Sequence, residues 1–552
     1  LHPLKDVKEI TRRQDAVEEL LEARELSSSI DDALSAVYDL ERLIARVSLG
    51  AAGPRDLVAL KDSLEKVPLI KDYLKLLSSE VIRGLEGSID AVAEAAGLIG
   101  AAIADAPPVS LKDGGVIRSG YSAELDELRD IGSGGKDWIA SLEASERART
   151  GINTLKIGYN RVFGYYIEIT KANIANAPAD YIRKQTLVNA ERFITPQLKE
   201  WEDRILGAEE RALKIEAMLF ARVIDELKGH SHRVQQTAAS VAVLDCLLSL
   251  ASAAAERNYT RPVVDDGDSI DIEGGRHPVV EAGTREFVSN DLRLGEDRVI
   301  ILTGPNMAGK STYLRQNALI ILMAQIGSFV PASRAVIGAV DRIFTRVGAS
   351  DDLSRGQSTF MVEMSETANI LNNASSRSFV VLDEIGRGTS TFDGLSIAWA
   401  VVEHMLDKIG AKTLFATHYH ELTELSLTKE RVKNYNMAVK EWEDRIVFLR
   451  KVLPGGASRS YGIQVARLAG IPHEVISRSR EILRNLETGE LNEAGMPNLA
   501  ARDTRGAEKG RQLSLLGEKD PVHEELKRID VDRMTPLEAL TALHKMKELL
   551  KN

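Results

Sequence analysis

The chain has 552 residues, 44% of them hydrophobic, which is enough for several buried cores and roughly three to four domains. Its net charge of −11 excludes a protein coated in basic surface but leaves room for one nucleic-acid-binding part. A single cysteine, Cys246, excludes a disulfide framework and indicates a reducing, cytoplasmic location, and no stretch resembles a signal peptide or a membrane span.

The first 120 residues carry apolar side chains every three to four positions, which predicts a series of helices. A connector containing Pro and Gly, ADAPPVSLKDGG, closes this region. The segment that follows, to about residue 151, has the pattern of a helix interrupted by the run GSGG at 132–135.

A change of character at residue 152 predicts a small β-rich insertion. The run TLKIGYNRVFGYYIEIT predicts a hairpin with its turn at GYN, and TLVNAERFIT predicts a further strand. Between Gly151 and Lys199 seven basic residues face three acidic ones among six aromatics. This stretch either contacts a phosphate backbone or is a solvated hairpin with core aromatics. The candidate DNA contacts are Lys156, Arg161, Arg183 and Lys184.

The segment from Leu198 to Lys228 predicts a long amphipathic helix, with apolar residues such as Leu213, Phe220 and Ile224 on one face. Long helices on both sides of the β-rich insertion indicate a lever, in which helices run out to a small tip and one helix returns.

From about residue 259 to 479, strand-like and helix-like runs alternate, which predicts an α/β domain with a mostly parallel sheet. The predicted buried strands are VIILTG, DRIFTRVG, SFVVLDEIG and KTLFATHY. A polar, Gly-rich linker then leads to two short C-terminal helices.

The run GPNMAGKST, Gly304 to Thr312, fits the phosphate-binding template G-x-x-x-x-G-K-[ST] between a predicted strand and a predicted helix. Backbone N–H groups of such a loop surround phosphate oxygens at the positive end of the helix. Lys310 is predicted to reach the β- and γ-phosphates of ATP, and Ser311 to bind Mg²⁺.

Two further segments bring chemistry to this loop. Asp383 and Glu384 end an apolar strand in the manner of a Walker B motif, so Asp383 is predicted to position Mg²⁺ and Glu384 to polarise the attacking water. His418, after another strand, is predicted to contact the γ-phosphate or that water. A zinc site at His418 and His420 is disfavoured because no Cys or acidic cluster supports it, and His420 is predicted to be a surface residue.

Two loops remain ambiguous on residue patterns alone. Ser358 opens a predicted helix and either caps it, repeats the anion site of its own chain, or completes the site of a neighbouring chain. The loop GRGTSTFDG, Gly386 to Gly394, is either a switch or interface loop or a plain connection.

Together, GPNMAGKST, GQSTFMVEM, LDEIGRGTSTFDG and ATHYHEL resemble the MutS family of DNA mismatch-repair ATPases. The resemblance extends through GRHPVVE, GYNRVFGYYIEIT, QTLVNAERFITPQLKEWED and RQDAVEEL, and so covers essentially the whole chain. It implies an ABC-type ATPase homodimer that encircles double-stranded DNA.

The resemblance also implies roles for individual residues. Ser358 would reach the γ-phosphate bound by the other subunit, Phe287 would stack on adenine and the Val288 backbone would touch the base. His418 matches the family's active-site histidine. The predicted nucleotide-binding residues are Gly304, Pro305, Asn306, Met307, Ala308, Gly309, Lys310, Ser311, Thr312, Phe287, Val288 and Ser358.

On the family pattern the fold is multidomain, α and α/β. It divides into a helical core and lever (1–122), a clamp (123–205), a returning lever helix (206–258), an ABC-type ATPase domain (259–485), a linker (486–520) and a C-terminal helical dimerisation segment (521–552). The segment QLSLL, Gln512 to Leu516, is similar to the motif by which such proteins bind the replication sliding clamp.

The chain departs from the family pattern at its N-terminal side. No F-x-E wedge motif occurs in it, and it opens mid-pattern at Leu1, so we expect a fragment without the mismatch-reading and connector domains. A MutL-type partner is therefore expected only for the full-length protein. The alternative is a relative that binds branched recombination DNA rather than mismatches.

Overall fold

The computed structural model describes residues 2–487 except 161, 163, 285, 306, 348–358, 443–444 and 457–460, together with residue 541. The chain divides into two compact units, Leu1–Val465 and Ala466–Asn552. Asn306, Arg161, Ser358 and the segment Gln512 to Leu516 lie outside the described residues.

The N-terminal region is helical, as predicted. Seven helices bury their apolar faces against one another and against the later helix α10. They are α1 (Val7–Glu22), α2 (Arg24–Ser35), α3 (Leu40–Ser48), α4 (Pro54–Leu64), α5 (Val67–Leu74), α6 (Glu80–Ser88) and α7 (Ala93–Ala102), followed by a short 3₁₀ turn at Leu111–Asp113.

The prediction that GSGG interrupts a helix is wrong, because α8 is continuous over Ala123–Thr150. It packs along α9 (Pro196–Lys228) so closely that a Cβ atom on Gly135 would lie 2.3 Å from Cγ1 of Ile205. The rings of Trp138 and Trp201 stack at 4.7 Å along the same contact. The glycine is needed for the close approach of two helices rather than for a break.

The insertion between α8 and α9 is a four-stranded antiparallel sheet in the order β1-β2-β4-β3. Its strands are β1 (Lys156–Asn160), β2 (Gly164–Thr170), β3 (Ile182–Thr186) and β4 (Ala190–Ile194), with a 3₁₀ segment at Lys171–Asn176. The predicted hairpin is confirmed as β1 and β2.

Two details of this sheet differ from the sequence prediction. The GYN run lies inside β1 rather than in the turn, because Gly158 makes room for the facing ring of Tyr166, whose Cζ atom would lie only 2.8 Å from a Cβ atom at that position. The run TLVNAERFIT holds β4 and the last residue of β3 instead of a single strand. Tyr181 and Phe193 are buried, so part of the aromatic content is core.

The predicted long amphipathic helix is α9, and α10 (Ser231–Arg257) follows it. The statement that no stretch resembles a membrane span needs correction, because α10 is long and apolar enough by length and composition to cross one. In the structure α10 packs against α1 and α3 and buries Leu244 and Leu247, so its apolar character serves a protein core.

The rest of the first unit contains two sheets. A four-stranded sheet has the order β5-β9-β6-β7, and a six-stranded sheet has the order β10-β11-β12-β8-β13-β14. The strands are β5 (Val263–Asp265), β6 (Ile270–Gly275), β7 (Asn290–Leu294), β8 (Val299–Thr303), β9 (Arg334–Gly338), β10 (Ile343–Arg346), β11 (Phe379–Asp383), β12 (Lys412–Ala416), β13 (Val432–Trp442) and β14 (Arg445–Pro454).

The remaining helices are α11 (Lys310–Gln325), α12 (Thr359–Asn373), α13 (Thr391–His404), α14 (Leu425–Thr428), α15 (Gly462–Leu468) and α16 (His473–Glu487). Short helical turns occur at Glu281–Gly283, Met405–Ile409 and His420–Glu424.

The four predicted strands are confirmed as β8, β10, β11 and β12, which are adjacent and parallel. β8, β11 and β12 are fully buried, whereas the prediction of burial is wrong for β10, an edge strand with only Arg346 buried. Because parallel strands end at the same edge of a sheet, the segments that follow β8, β11 and β12 meet there. Those segments carry the phosphate-loop motif, the Asp383–Glu384 pair and His418.

Candidate nucleotide-binding site

The loop after β8 has backbone conformations that favour glycine at two of its positions. Gly304 has φ 140° and Gly309 has φ 105°, and a Cβ atom on Gly304 would lie 3.0 Å from the Cβ atom of Met437. Met307 adopts a left-handed φ of 69° with its side chain exposed. Helix α11 begins at Lys310, so the loop delivers its backbone to the positive end of a helix.

Lys310 is buried, with 4% of its surface exposed, and its ammonium group turns back onto the loop. It donates hydrogen bonds to the carbonyl oxygens of Gly304, at 2.7 Å, and Pro305, at 3.4 Å. Burial lowers the pKa of Lys310 to about 8, although Glu384 and Asp383 lie near enough to oppose that shift. The cation is therefore held without a fully compensating anion, which is the situation that a phosphate group would relieve.

Asp383 ends β11 and is 7% exposed. Burial raises its pKa, and a hydrogen bond with the Ser311 side chain opposes that rise. Its Oδ1 atom is buried and has no hydrogen-bond partner among the described residues. An unpaired buried carboxylate oxygen beside a hydroxyl is the donor set of a hard cation, so Ser311 and Asp383 fit Mg²⁺.

Within the described part of the chain, no group of three or more His, Cys, Asp or Glu residues could hold a metal ion. His420 opens the turn His420–Glu424 and is partly exposed.

Glu384 adopts a left-handed φ of 60°, which is unfavourable for a residue with a Cβ atom and is typical of a functional position. Its Oε1 atom lies 2.5 Å from Nε2 of His418 and 3.8 Å from Nζ of Lys310, and Arg387 contacts its other oxygen. Burial acts to raise the pKa of Glu384, but His418, Arg387 and Lys310 together lower it. Glu384 is thus an ionised carboxylate beside the loop Gly304–Thr312.

A cavity of about 330 Å³ adjoins the loop, and Phe287 and Val288 lie in its wall together with Met307 and Thr312. The structure thereby brings the predicted base-contacting segment next to the predicted phosphate-binding segment. The cavity has the size and mixed lining of a small-molecule site.

Sequence reasoning missed part of this wall. Met437 and Arg450 line the cavity where the pairing of β13 and β14 is irregular, and Arg450 has a left-handed φ of 55°. Asn290, which is buried, connects this irregularity to the Phe287 segment through the carbonyl oxygen of Arg450, at 2.9 Å. No local motif marks these residues, because a β-bulge depends on the partner strand.

The loop Gly386–Gly394 is held in a tight return, since a Cβ atom on Gly386 would lie 2.5 Å from the carbonyl oxygen of Gly394. Ser390 caps α13 by accepting a hydrogen bond from the backbone N–H of Asp393. The close packing explains both glycines and does not decide between a switch loop and a connection. Helix α12 begins at Thr359, directly after Ser358, which lies outside the described residues.

The described candidate DNA contacts lie far along the chain from this site, on the sheet of β1, β2, β3 and β4, while Arg161 lies outside the described residues. Lys156, Arg183 and Lys184 are exposed there. Arg183 forms an ion pair with Glu191 at 2.8 Å, whereas no ion pair of Lys184 is found within the described residues. Among the described residues Lys156 has no ion pair either, so Lys156 and Lys184 contribute more of the uncompensated positive charge of this sheet than Arg183 does.

Comparison with known proteins matches three segments to family models. Residues 1–251 match MutS domain III, residues 300–487 match MutS domain V, and residues 517–549 match the DNA mismatch repair protein MutS C-terminal region. The chain is also 52% identical over 571 residues to the DNA mismatch repair protein MutS of Myxococcus xanthus. This chain belongs to the MutS family.

Two other MutS proteins have a similar identity to this chain. The chain is 52% identical over 579 residues to the protein of Halothermothrix orenii and 51% identical over 564 residues to that of Ruminiclostridium cellulolyticum. All of this chain is covered in each comparison, while it spans 64% of the length of these relatives. The segment that matches MutS domain V contains Lys310, Asp383, Glu384 and His418, whereas Phe287 and Val288 of the cavity wall precede it.

Proposed function

We propose that this chain is the ATP-hydrolysing, DNA-encircling part of a cytoplasmic mismatch-repair protein. The observation that carries the proposal is the convergence of Lys310, Asp383, Glu384 and His418 at one edge of the sheet, with an ionised Glu384 beside a buried cation. Such an arrangement supports transfer of a phosphoryl group to water, which requires positioning and charge neutralisation more than covalent chemistry.

In this mechanism the loop Gly304–Thr312 binds the phosphates, and Lys310 exchanges its two carbonyl partners for phosphate oxygens. Ser311 and Asp383 would hold Mg²⁺, which would supply neutralisation of developing negative charge. Glu384 accepts a proton from the attacking water or orients it, and His418 holds the Glu384 carboxylate in place. Phe287 and the backbone of Val288 contact the base.

The site is proposed to be completed by a second copy of the chain, whose Ser358 approaches the γ-phosphate from the start of its α12. In the same proposal residues 1–122 and 206–258 form the core and lever, 123–205 the clamp, and 259–485 the ATPase domain. The linker at 486–520 would bind the sliding clamp through Gln512–Leu516, and residues 521–552 would dimerise. Contact with a MutL-type partner is proposed only for the full-length protein.

Phosphate release from Mg·ATP by the purified chain tests this proposal, measured alone and with homoduplex, mismatched and four-way-junction DNA. We expect turnover that requires Mg²⁺, is altered by DNA, and shows no strong preference for a mismatch. A strong preference for the junction would favour the branched-DNA alternative. Absence of turnover under all conditions would contradict the proposal.

The lowered pKa of Lys310 predicts a proton linkage. Bound phosphates stabilise the charged ammonium and raise its pKa, so ATP affinity should fall as the pH rises through about 8. At pH 8 binding should take up roughly half a proton. Calorimetry in buffers of different ionisation enthalpy measures this uptake. Lys412→Met provides the control, since it removes a second buried lysine with a pKa of about 8. Lys412 is the first residue of β12, whereas the site lies beyond the last residue of that strand. An uptake that is lost in this control, or absent in the unaltered chain, would contradict the assignment to Lys310.

Charge reversal on the sheet formed by β1, β2, β3 and β4 tests whether that sheet contacts DNA. Lys184→Glu should weaken DNA binding and reduce the salt dependence of the affinity by about one counterion. Arg183→Glu should have a smaller effect, because Glu191 already neutralises part of its charge. Binding isotherms at several salt concentrations give, for each variant, the slope of log affinity against log salt concentration. Lys66→Glu, on the exposed surface of the helical N-terminal region, is the control. Equal slopes in all variants would remove this sheet from the DNA interface.

A further inference from the structure

A buried carboxylate outside the predicted site connects helix α12 to the segment that carries Glu384. Glu363 is 4% exposed, and its Oε1 atom accepts a hydrogen bond at 2.5 Å from the backbone N–H of Gly386, two residues after Glu384. Its Oε2 atom lies 3.3 Å from Nη2 of Arg346, the last residue of β10. The two carboxylate oxygens of Glu363 thus contact two different parts of the chain, the loop after β11 and the end of β10.

The same loop is held from its other side. The hydroxyl group of Tyr419 donates a hydrogen bond at 2.9 Å to the carbonyl oxygen of Gly386, and Tyr419 directly follows His418. Burial raises the pKa of Tyr419, and the nearby Glu363 carboxylate adds to the rise. Both backbone polar groups of Gly386 are therefore fixed by side chains that neighbour the site.

Packing adds to these polar contacts. A Cβ atom on Gly388 would lie 2.8 Å from the Cβ atom of Phe360, at the start of α12. Arg346 is almost fully buried and also lies 3.1 Å from Glu366 of α12. A buried carboxylate is stable only with such partners, so its position is strongly determined.

Glu384 needs this support because its left-handed backbone is unfavourable on its own. We infer that Glu363, held by Arg346, is a positioning residue. It fixes the start of the loop Gly386–Gly394 and thereby sets the orientation of the Glu384 carboxylate. This inference rests on the proposed ATPase function and adds to it a residue that touches neither nucleotide nor water. Displacement of a catalytic group by about 1 Å can cost about 10²-fold in rate, so loss of this support should affect hydrolysis far more than binding.

The experiment is single-turnover ATP hydrolysis by the full chain, with ATP affinity and thermal unfolding measured in parallel. Glu363→Ala should lower the hydrolysis rate constant by about 10²-fold and leave ATP affinity unchanged. Glu363→Gln should recover most of the rate, because its amide oxygen still accepts from Gly386 while its amide nitrogen cannot pair with Arg346.

A matched control exists in the helical region. Glu216 on α9 is similarly buried, accepts from the backbone N–H of Gly115 at 3.0 Å and contacts Arg129. Helix α9 packs mainly against α8, α3, α7 and β2, none of which carries a residue of the candidate site. Glu216→Ala should lower the unfolding temperature and leave the hydrolysis rate constant unchanged. An equal loss of rate in this control would show a general stability effect and overturn the inference.

Tyr419→Phe provides an independent measurement if Glu363→Ala does not fold. It removes the second support of Gly386 and should also lower the rate constant without changing ATP affinity. An unaltered rate constant in a folded Glu363→Ala, or in Tyr419→Phe where Glu363→Ala does not fold, would overturn the inference alone. Absence of hydrolysis by the unaltered chain would instead overturn the proposed function on which the inference rests.

Discussion

Replacement of Glu384 by Gln should reduce ATP hydrolysis by about 10²- to 10⁴-fold while ATP remains bound. The amide is almost isosteric, so the backbone conformation and the contact with His418 can persist, but the amide cannot accept a proton from water. The surroundings keep Glu384 ionised, because His418, Arg387 and Lys310 outweigh the effect of burial on its pKa. Rapid-quench measurement of a single turnover, with equilibrium ATP binding alongside it, separates the two properties.

Glu424→Gln is the matched control for this variant, since Glu424 is an exposed glutamate in the turn that follows His418. It should hydrolyse ATP at the unaltered rate. Hydrolysis by Glu384→Gln at that same rate would remove Glu384 from its assigned role and leave the left-handed backbone there without a functional explanation.

Replacement of Lys310 by Met should have the second large effect, on binding. Loss of a buried charge that meets phosphate oxygens should weaken ATP affinity on the order of 10²- to 10³-fold, equivalent to about 3–4 kcal/mol. Met retains the length of the side chain and suits a buried position. Titration with a fluorescent ATP analogue measures the affinity, and Lys412→Met, which removes the other buried lysine, should bind as the unaltered chain does.

Lys310→Met should weaken ATP binding without lowering the stability of the nucleotide-free fold. The pKa of Lys310 is lower in the folded chain, about 8, than in an unfolded one, so the folded state binds fewer protons between these values and stability rises with pH there. At neutral pH the charged side chain costs folding on the order of 3 kcal/mol, partly offset by its hydrogen bonds to Gly304 and Pro305. Nucleotide-free Lys310→Met should therefore unfold at no lower temperature than the unaltered chain. A large drop would show that Lys310 supports the fold rather than the ligand.

Local sequence patterns predicted the parts of the site that depend on residues close together in the chain. Asp383 ends one short apolar strand, and Lys310 and His418 follow two others, and parallel pairing necessarily brings the ends of such strands together. The helical first region and the hairpin of β1 and β2 follow in the same way from apolar spacing and β-branched content.

The features that sequence reasoning missed depend on partners distant in the chain. Gly135 looks like a helix breaker until Ile205 is placed against it. Helix α10 looks apolar enough for a membrane until α1 and α3 cover it. Glu363 has the composition of an ordinary helix residue, and only the fold shows that its carboxylate faces Gly386 and Arg346. In each case tertiary packing overrides the local preference.

The central claim is that the loop around Lys310 binds ATP and that a second chain completes the site for hydrolysis. The most direct test is the single-turnover hydrolysis rate constant of Mg·ATP measured over a range of chain concentrations. We expect ATP to bind at every concentration, while the rate constant rises with concentration and saturates as chains pair. A failure to retain ATP, or a rate constant independent of chain concentration in a preparation shown to be monomeric, would contradict it.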